Sequence, residues 1–165
     1  LKTLRARERL PQLRPANAAY QDERIATLDE VIALAKARGR GVVAEIKHSS
    51  YFASIGLPVE PGLVDAFARH GWTSAEDPVW IESFEVANLK ALRQRTRLKL
   101  VQLVDDKGAP ADGGAPSYAE MITPAGLVRM ATYADGIGAA KALVIPRDAD
   151  GRSLPTTNLV ADAHK

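Results

Sequence analysis

Glu45 and Lys47 set an acid and a base two residues apart near the end of a short apolar segment, residues 41–48 (GVVAEIKH). Side chains alternate along a β-strand, so both charged groups are expected on the same face. A carboxylate or an ammonium group is costly to bury without a partner. A metal ion or a phosphate at this point would be such a partner. The alternatives are a solvated charged face or a direct contact between the two side chains.

The composition is that of an ordinary globular protein and excludes several functional classes. The 165 residues, 46% hydrophobic and 25% charged, are enough for one domain with a core. A net charge of +2, with no run of Lys and Arg among aromatics, does not indicate a nucleic-acid partner. No apolar stretch approaches the roughly 18 residues of a membrane span. The absence of cysteine excludes disulfides and thiolate metal sites and leaves the cellular compartment open.

Helix and strand signals alternate along the chain. A capping box, Thr27 to Glu30, starts a helix that ends at Gly39, and Thr123-Pro124 starts another. Further helices are predicted from Pro61 to Gly71, over 86–93, and after Thr156 and Thr157. Strands are predicted at 42–47, 79–84, 98–104 and 135–138, and loops at 49–60 and 105–117. This alternation predicts a parallel sheet with helices outside, either a doubly wound open sheet or an arc of a barrel.

Four segments of the sequence match one known family in their order and spacing. They are 43–48 (VAEIKH) with Tyr51 and Phe52, 80–85 (WIESFE) with 88–90 (NLK), 98–103 (LKLVQL), and 133–138 (YADGIG). Together they resemble the glycerophosphodiester phosphodiesterase family over nearly the whole chain. The long loop after the third strand is most similar to the bacterial, extracytoplasmic branch of that family.

The resemblance implies a (β/α)8 TIM barrel, present here as a partial barrel with its central and later βα units. On this basis residues 1–24 are expected to be a surface insertion or loop. Residues 25–165 are expected to be a partial catalytic domain in which the first and last strands are absent. The sequence does not begin with Met and ends without a signal that would stop its last helix, so we expect a piece of a longer enzyme. An incomplete barrel leaves edge strands unpaired, which predicts association or poor folding of the piece alone.

The resemblance also implies roles for particular residues. Glu45 matches a metal ligand, and Lys47 matches the position that contacts the substrate phosphate. Phe52 and Gln102 are expected to line a glycerol pocket, whereas Glu82 and Glu85 are expected to be solvated or at the edge of the core. The family's catalytic histidine pair has no match, because none of the three histidines lies in a corresponding motif. They are His48, His70 and His164.

The activity implied is hydrolysis of a glycerophosphodiester to glycerol 3-phosphate and an alcohol, within glycerol and lipid metabolism. It is expected to need a divalent cation, Ca²⁺ or alternatively Mg²⁺, and to be absent from this chain alone. The expected partners are the small-molecule substrate and the remainder of the barrel, in a periplasmic or secreted enzyme. Two alternatives remain open: a non-catalytic half-barrel that binds phosphate or a polyol, and a phospholipase of the sphingomyelinase D type.

Overall fold

Four parallel strands in chain order form the only sheet of the part of the chain, residues 2–165, that the computed structural model describes. The strands are β1 (Val42–Glu45), β2 (Val79–Ser83), β3 (Lys99–Val104) and β4 (Gly136–Ala139), in the order β1-β2-β3-β4. A doubly wound sheet reverses its strand order at a switch point, and this sheet does not. The sheet is therefore an arc of a barrel, and the prediction of a partial TIM barrel is confirmed.

Helices connect the strands on one side of the sheet. The main ones are α1 (Leu28–Ala37), α2 (Ser49–Ser54), α3 (Glu60–Arg69) and α4 (Val86–Arg93). The later ones are α5 (Tyr118–Met121), α6 (Pro124–Met130), α7 (Lys141–Val144) and α8 (Leu159–Ala163), and a 3-10 helix spans Pro15–Tyr20. The predicted capping box of α1 is present, as is the Thr123 cap of α6. None of the helices in residues 2–165 is long and apolar enough to cross a membrane.

The two faces of the sheet differ sharply in burial. Ile81 of β2 and Leu100 of β3 lie opposite each other and have no exposed surface, and they pack with Phe67 and Leu89 from the helices. On the other face, Val43 is 62% exposed. This open face corresponds to the inner wall of a barrel, whereas the helix-facing side holds the hydrophobic core.

The register of the strands aligns one row of side chains across the open face. Glu45 pairs with Glu82, Glu82 with Val101, and Val101 with Gly136. One step toward the amino ends of the strands, the Lys99 ammonium lies 4.9 Å from the centre of the Trp80 ring. Polar groups near the carboxyl ends of β1 and β2 are thus brought side by side on the inner wall.

Three short helices differ from the sequence-based prediction. α2 lies inside the segment 49–60 that was predicted to be a loop, and α5 and α7 were not predicted. Helices of four to six residues contain too few apolar positions to show a helical period, and tertiary contacts hold them. The cap of α8 is also shifted, because Asn158 is its N-cap and Thr157 instead donates to the Leu143 carbonyl.

Residues 2–26 form an irregular segment on the surface, and none of them is buried. An antiparallel bridge between Arg5 and Arg24 closes the segment, and an ion pair of 2.8 Å joins Arg5 to Asp22. Lys2 also pairs with Glu30 at the start of α1. These contacts attach the segment to the outer side of the sheet, away from the inner wall.

Candidate active site

A groove of about 340 Å³ lies at the carboxyl ends of β1, β2 and β3. In barrels of this type, the loops at that end of the strands carry the chemistry. The polar and aromatic side chains bordering the groove are those of Glu45, Lys47, His48, Ser83, Phe84, Glu85, Asp105 and Tyr118. Each comes from the end of a strand or from the segment that follows it, so the fold itself assembles the group.

The side chains of Glu45 and Lys47 lie on the same side, as their spacing predicted, although β1 ends at Glu45 and Lys47 lies two residues beyond it. Lys47 Nζ lies 3.0 Å from Glu45 Oε1, so the direct contact considered as an alternative does form. The Lys47 side chain is 68% exposed and that of Glu45 is 24% exposed. A lysine has three N–H donors and a carboxylate has two oxygens, so the pair leaves bonding capacity on both groups. The contact is therefore compatible with an additional anion at Lys47 and a cation at Glu45.

Glu82 lies beside Glu45 across the strand pair. The two are register partners of β1 and β2 and point to the same face. Burial raises the pKa of the Glu82 carboxyl, the negative charge of Glu45 raises it further, and Lys47 opposes both effects. Glu82 is half-buried on the inner wall, near the carboxyl end of β2. Two adjacent carboxylates in this setting favour a nearby positive charge.

The donor set fits part of a site for a hard divalent cation. Ca²⁺ and Mg²⁺ prefer oxygen ligands, and Glu45 and Glu82 offer carboxylate oxygens at neighbouring positions. Within residues 2–165, however, no cluster of three or more acidic, histidine or cysteine side chains could hold a metal ion. These two carboxylates would thus supply only some of the ligands that such a cation requires.

The turn that follows β1 is held from both sides. The Ile46 N–H donates to the Glu82 carbonyl at 2.8 Å, and the Ser83 hydroxyl donates to the Ile46 carbonyl at 3.2 Å. His48 adopts a left-handed backbone, with φ of 55°, as the N-cap residue of α2. The Ser50 N–H then donates to Glu85 Oε2 at 2.8 Å. Lys47 therefore sits between two anchored points.

Two aromatic rings form one wall of the groove, and neither was predicted to be a site residue. Phe84 and Tyr118 meet edge to face, with ring centres 6.1 Å apart. Burial raises the pKa of the Tyr118 hydroxyl, and the nearby Asp105 carboxylate raises it further. Phe84 directly follows β2, and this position at a strand end was a usable signal. Tyr118 lies beyond a long loop, so nothing in the local sequence pointed to it.

Gln102, predicted to line the pocket, is instead a buried structural residue. It has no exposed surface, and its amide donates to the carbonyls of Ser83 and Phe84 at 3.2 and 3.0 Å. The Tyr133 hydroxyl donates to Gln102 Oε1 at 3.0 Å. Because side chains alternate along β3, Gln102 shares the helix-facing side with Leu100, and Val101 takes the inner face. The predicted role therefore requires correction.

Phe52, the other predicted pocket residue, does not border the groove either. It is half-buried on α2 and packs edge-on against the ring of Tyr51, at 5.4 Å between centres. Its position was predicted within a loop beside the strand end. The helical turn of α2 places its ring outside the described groove.

Glu85 also departs from the simplest expectation for an acidic residue after a strand. Only 5% of it is exposed, so it is a buried carboxylate rather than a solvated one. It makes no ion pair within residues 2–165, and its described side-chain partner is the Ser50 N–H. His70, by contrast, lies far from the groove and pairs with Asp29 at 3.0 Å.

Comparisons with known proteins agree with this architecture. A family model described as "Glycerophosphoryl diester phosphodiesterase family" matches residues 1–165. Among curated proteins, the chain is similar to "Glycerophosphodiester phosphodiesterase GDPD6" of Arabidopsis thaliana. The two are 27% identical over 184 aligned residues, which cover 99% of this chain and 47% of the plant protein. The chain thus spans about half the length of the curated relative that it matches.

Proposed function

The chain belongs to the glycerophosphoryl diester phosphodiesterase family, and we propose that the full-length enzyme containing it hydrolyses glycerophosphodiesters to glycerol 3-phosphate and an alcohol. The observation that carries the proposal is the Glu45–Lys47 pair, 3.0 Å apart at the carboxyl end of a barrel strand. Hydrolysis of an anionic phosphodiester needs positive charge close to the phosphorus. The Lys47 ammonium would supply one positive charge, and Glu45 would be a ligand for a metal cation that supplies a second.

Lys47 is proposed to bind the substrate phosphate. Its ammonium group is mostly exposed on the inner wall, and its only described ion-pair partner in residues 2–165 is Glu45. Phosphate oxygens accept hydrogen bonds from ammonium groups readily. As negative charge builds up on these oxygens in the transition state, a fixed ammonium stabilises it without any reorganisation.

Glu45 is proposed to bind a divalent cation, with Ca²⁺ favoured and Mg²⁺ as the alternative. The neighbouring Glu82 carboxylate, whose pKa is raised by burial and by Glu45, supports a positive charge at this position. A bound cation would supply further stabilisation of charge on the phosphate. Glu45 would hold it next to Lys47, and the remaining ligands would come from other parts of the full-length enzyme.

The proton transfers of hydrolysis are proposed to use groups outside these four βα units. Hydrolysis adds water to phosphorus and breaks the bond to the alcohol oxygen, which leaves with a proton. Of the histidines, His70 is engaged by Asp29, and only His48 borders the groove. We therefore propose that residues 1–165 alone do not turn over glycerophosphocholine at any metal concentration. Turnover that follows the purified chain would contradict this assignment.

The central test is release of glycerol 3-phosphate from glycerophosphocholine by the full-length enzyme. We expect release in the presence of Ca²⁺ or Mg²⁺, loss of release after chelation, and recovery when metal is added back. Release that is unaffected by chelation would contradict the role of Glu45. Binding of glycerol 3-phosphate without any turnover would favour the half-barrel that only binds phosphate or a polyol. Cleavage of sphingomyelin in preference to glycerophosphocholine would favour the sphingomyelinase D type.

A narrower proposal concerns the branch of the family. The irregular loop 105–117 after β3 supports the bacterial, extracytoplasmic type, and with it a periplasmic or secreted enzyme. Fractionation of cells that express the full-length protein tests this location. Recovery of the active enzyme from the cytoplasmic fraction alone would contradict it.

A further inference from the structure

Lys47 lies in a turn whose backbone is unusual. The chain leaves β1 at Glu45, and His48 then takes a left-handed conformation with φ of 55° and ψ of 40°. Residues other than glycine seldom adopt this region, and they persist there only when the surroundings fix the turn. His48 makes no side-chain cap for α2, so the turn does not stabilise itself in that way.

The strand side of the turn is anchored by β2. Hydrogen bonds from the Ile46 N–H to the Glu82 carbonyl and from the Ser83 hydroxyl to the Ile46 carbonyl fix the residue before Lys47. Ser83 itself has no exposed surface and accepts from the Glu85 N–H at 3.1 Å. The same short segment of the chain, 82–85, therefore supplies every anchor named here.

The helix side of the turn is held by two carboxylates, because the Ser49 hydroxyl donates to Glu60 and the Ser50 N–H donates to Glu85. Glu85 Oε2 accepts from the Ser50 N–H at 2.8 Å, and only 5% of Glu85 is exposed. Hydrogen bonds between a carboxylate and a backbone N–H are roughly twice as strong as neutral ones. Without this bond, the start of α2 would keep the contact between Ser49 and Glu60 but would lose its link to the segment that follows β2, and His48 would have more freedom to leave its left-handed conformation.

The geometry points to Glu85 as a positioning residue for the phosphate-binding lysine. Its carboxylate holds the start of α2 so that the turn presents the Lys47 ammonium beside Glu45, and Glu85 itself does not bind the phosphate. This inference rests on the proposed function, since it takes Lys47 to be the phosphate ligand. The negative charge of Glu85 would by itself repel an anion in the groove, yet through Lys47 this residue is proposed to favour the binding of one.

The sign of the charge makes the inference testable. Removing a negative charge from the groove would, by electrostatics alone, tighten the binding of an anion. Removing a positioning group would weaken the binding, because the ammonium is no longer held in place. Misplacement by about 1 Å can cost on the order of a hundredfold in rate.

The experiment is a double-variant cycle in the full-length enzyme, with glycerol 3-phosphate affinity and kcat/KM for glycerophosphocholine as readouts. The variants are Glu85→Ala, Lys47→Met and the two combined. We expect Glu85→Ala to weaken affinity and lower kcat/KM by about ten- to a hundredfold when Lys47 is present. In the Lys47→Met background it should add less than twofold, because there is no ammonium left to position.

Two further variants separate positioning from loss of stability. Glu85→Gln keeps an oxygen that accepts from the Ser50 N–H, and it should retain affinity and kcat/KM within a few-fold of wild type. Asp77→Ala is the matched control, since Asp77 Oδ2 accepts from the Thr73 and Ser74 N–H groups at 2.6 and 2.8 Å before β2, at the opposite end of the sheet. It should lower the unfolding midpoint without changing glycerol 3-phosphate affinity. If Glu85→Ala does not fold, Glu85→Asp takes its place in the cycle.

The outcomes distinguish this inference from the proposed function. Equal losses from Glu85→Ala with and without Lys47, or tighter binding of glycerol 3-phosphate, would overturn the positioning role and leave the function of Lys47 intact. If Lys47→Met itself has no effect on affinity or kcat/KM, the proposed phosphate site fails and the inference fails with it. Loss in Glu85→Ala that depends on Lys47, together with near-normal Glu85→Gln, supports the inference.

Discussion

Two sets of polar side chains on opposite sides of the same sheet lie in different environments. On the inner wall, Glu45 and Lys47 contact each other and remain partly exposed, with bonding capacity to spare. On the helix side, the polar atoms of Gln102 and Tyr133 are buried and bonded to each other and to backbone carbonyls. Glu45, Lys47 and Gln102 were all candidates for the site in the sequence, and only their environments separate them.

The difference indicates which polar residues maintain the fold and which are available to a ligand. A buried polar group that lacks a partner destabilises the protein, so evolution of a stable core favours full pairing. Among described buried side-chain atoms, only Asn88 Oδ1 has no hydrogen-bond partner. Charged groups on an open wall cost the fold little free energy while they are solvated, and a substrate can replace the water bound to them. The inner wall is thus suited to binding, and the Gln102 network is suited to support.

The largest expected effect is on catalysis by Lys47→Met. Removing an electrostatic contact to developing charge typically costs about 2.7–4 kcal/mol in the barrier, roughly a hundred- to a thousandfold in rate. The substitution keeps the aliphatic stem but removes the ammonium that contacts the phosphate. Because the lost group is not a metal ligand, no amount of metal should restore the rate. Steady-state kinetics of the full-length enzyme against metal concentration measure this.

Glu45→Gln is the paired variant and should behave differently. It keeps the shape but removes a negative charge, so a divalent cation should bind more weakly. Activity should fall at low metal and recover partly as metal is raised. Restoration of Lys47→Met by metal, with none for Glu45→Gln, would mean that the two roles are reversed or wrong. Unfolding midpoints of both variants should stay near wild type, since exposed ion pairs contribute about 0–1 kcal/mol.

A smaller effect, on stability, is expected for Gln102→Leu. The change leaves buried carbonyls of Ser83 and Phe84 and the Tyr133 hydroxyl without their partner, which should destabilise the fold by about 2–3 kcal/mol. Urea unfolding of the full-length enzyme measures the loss. The folded fraction should keep its activity within about tenfold. Normal stability combined with a hundredfold loss of rate would return Gln102 to the list of substrate-binding residues.

The smallest expected effect is that of Tyr133→Phe, and it depends on pH. Losing one hydrogen bond to Gln102 should cost about 1 kcal/mol at neutral pH. Burial raises the pKa of Tyr133 to about 12, whereas an unfolded tyrosine ionises near pH 10. The native state therefore keeps its proton longer than the unfolded state, and stability falls as pH rises from about 10 to about 12. Tyr133→Phe should lack this part of the alkaline loss.

Unfolding midpoints between pH 8 and 12 test the Tyr133 prediction. The matched control is Tyr20→Phe, at a tyrosine that is 60% exposed, and it should leave stability at neutral pH within about 0.5 kcal/mol of wild type. An identical alkaline slope in wild type and Tyr133→Phe would show that the buried hydroxyl does not contribute. The contrast between the two sets of polar side chains would then rest on Gln102 alone.

Much of the fold could be predicted from local signals. The helix over 86–93 has the predicted bounds, the capping box at Thr27 forms, and all four strands lie within about two residues of their predicted positions. These features depend on neighbours along the chain, through caps, helical periods and alternation. Short helices such as α2 could not be predicted, because contacts with residues that are distant in the sequence, such as Glu85, help to hold them.

That Glu45 and Lys47 point the same way could be predicted from the sequence alone, because side chains alternate with a period of two residues in an extended segment. Its four segments also resemble one family, and it was this resemblance that implied the barrel. The face of β3 that turns inward became known only from the packing of the folded chain, which places Gln102 in the core and Val101 on the inner wall. That packing alone brought Glu82 beside Glu45 and Glu85 against Ser50. Those contacts depend on strand register and helix packing, which no local pattern in the sequence encodes.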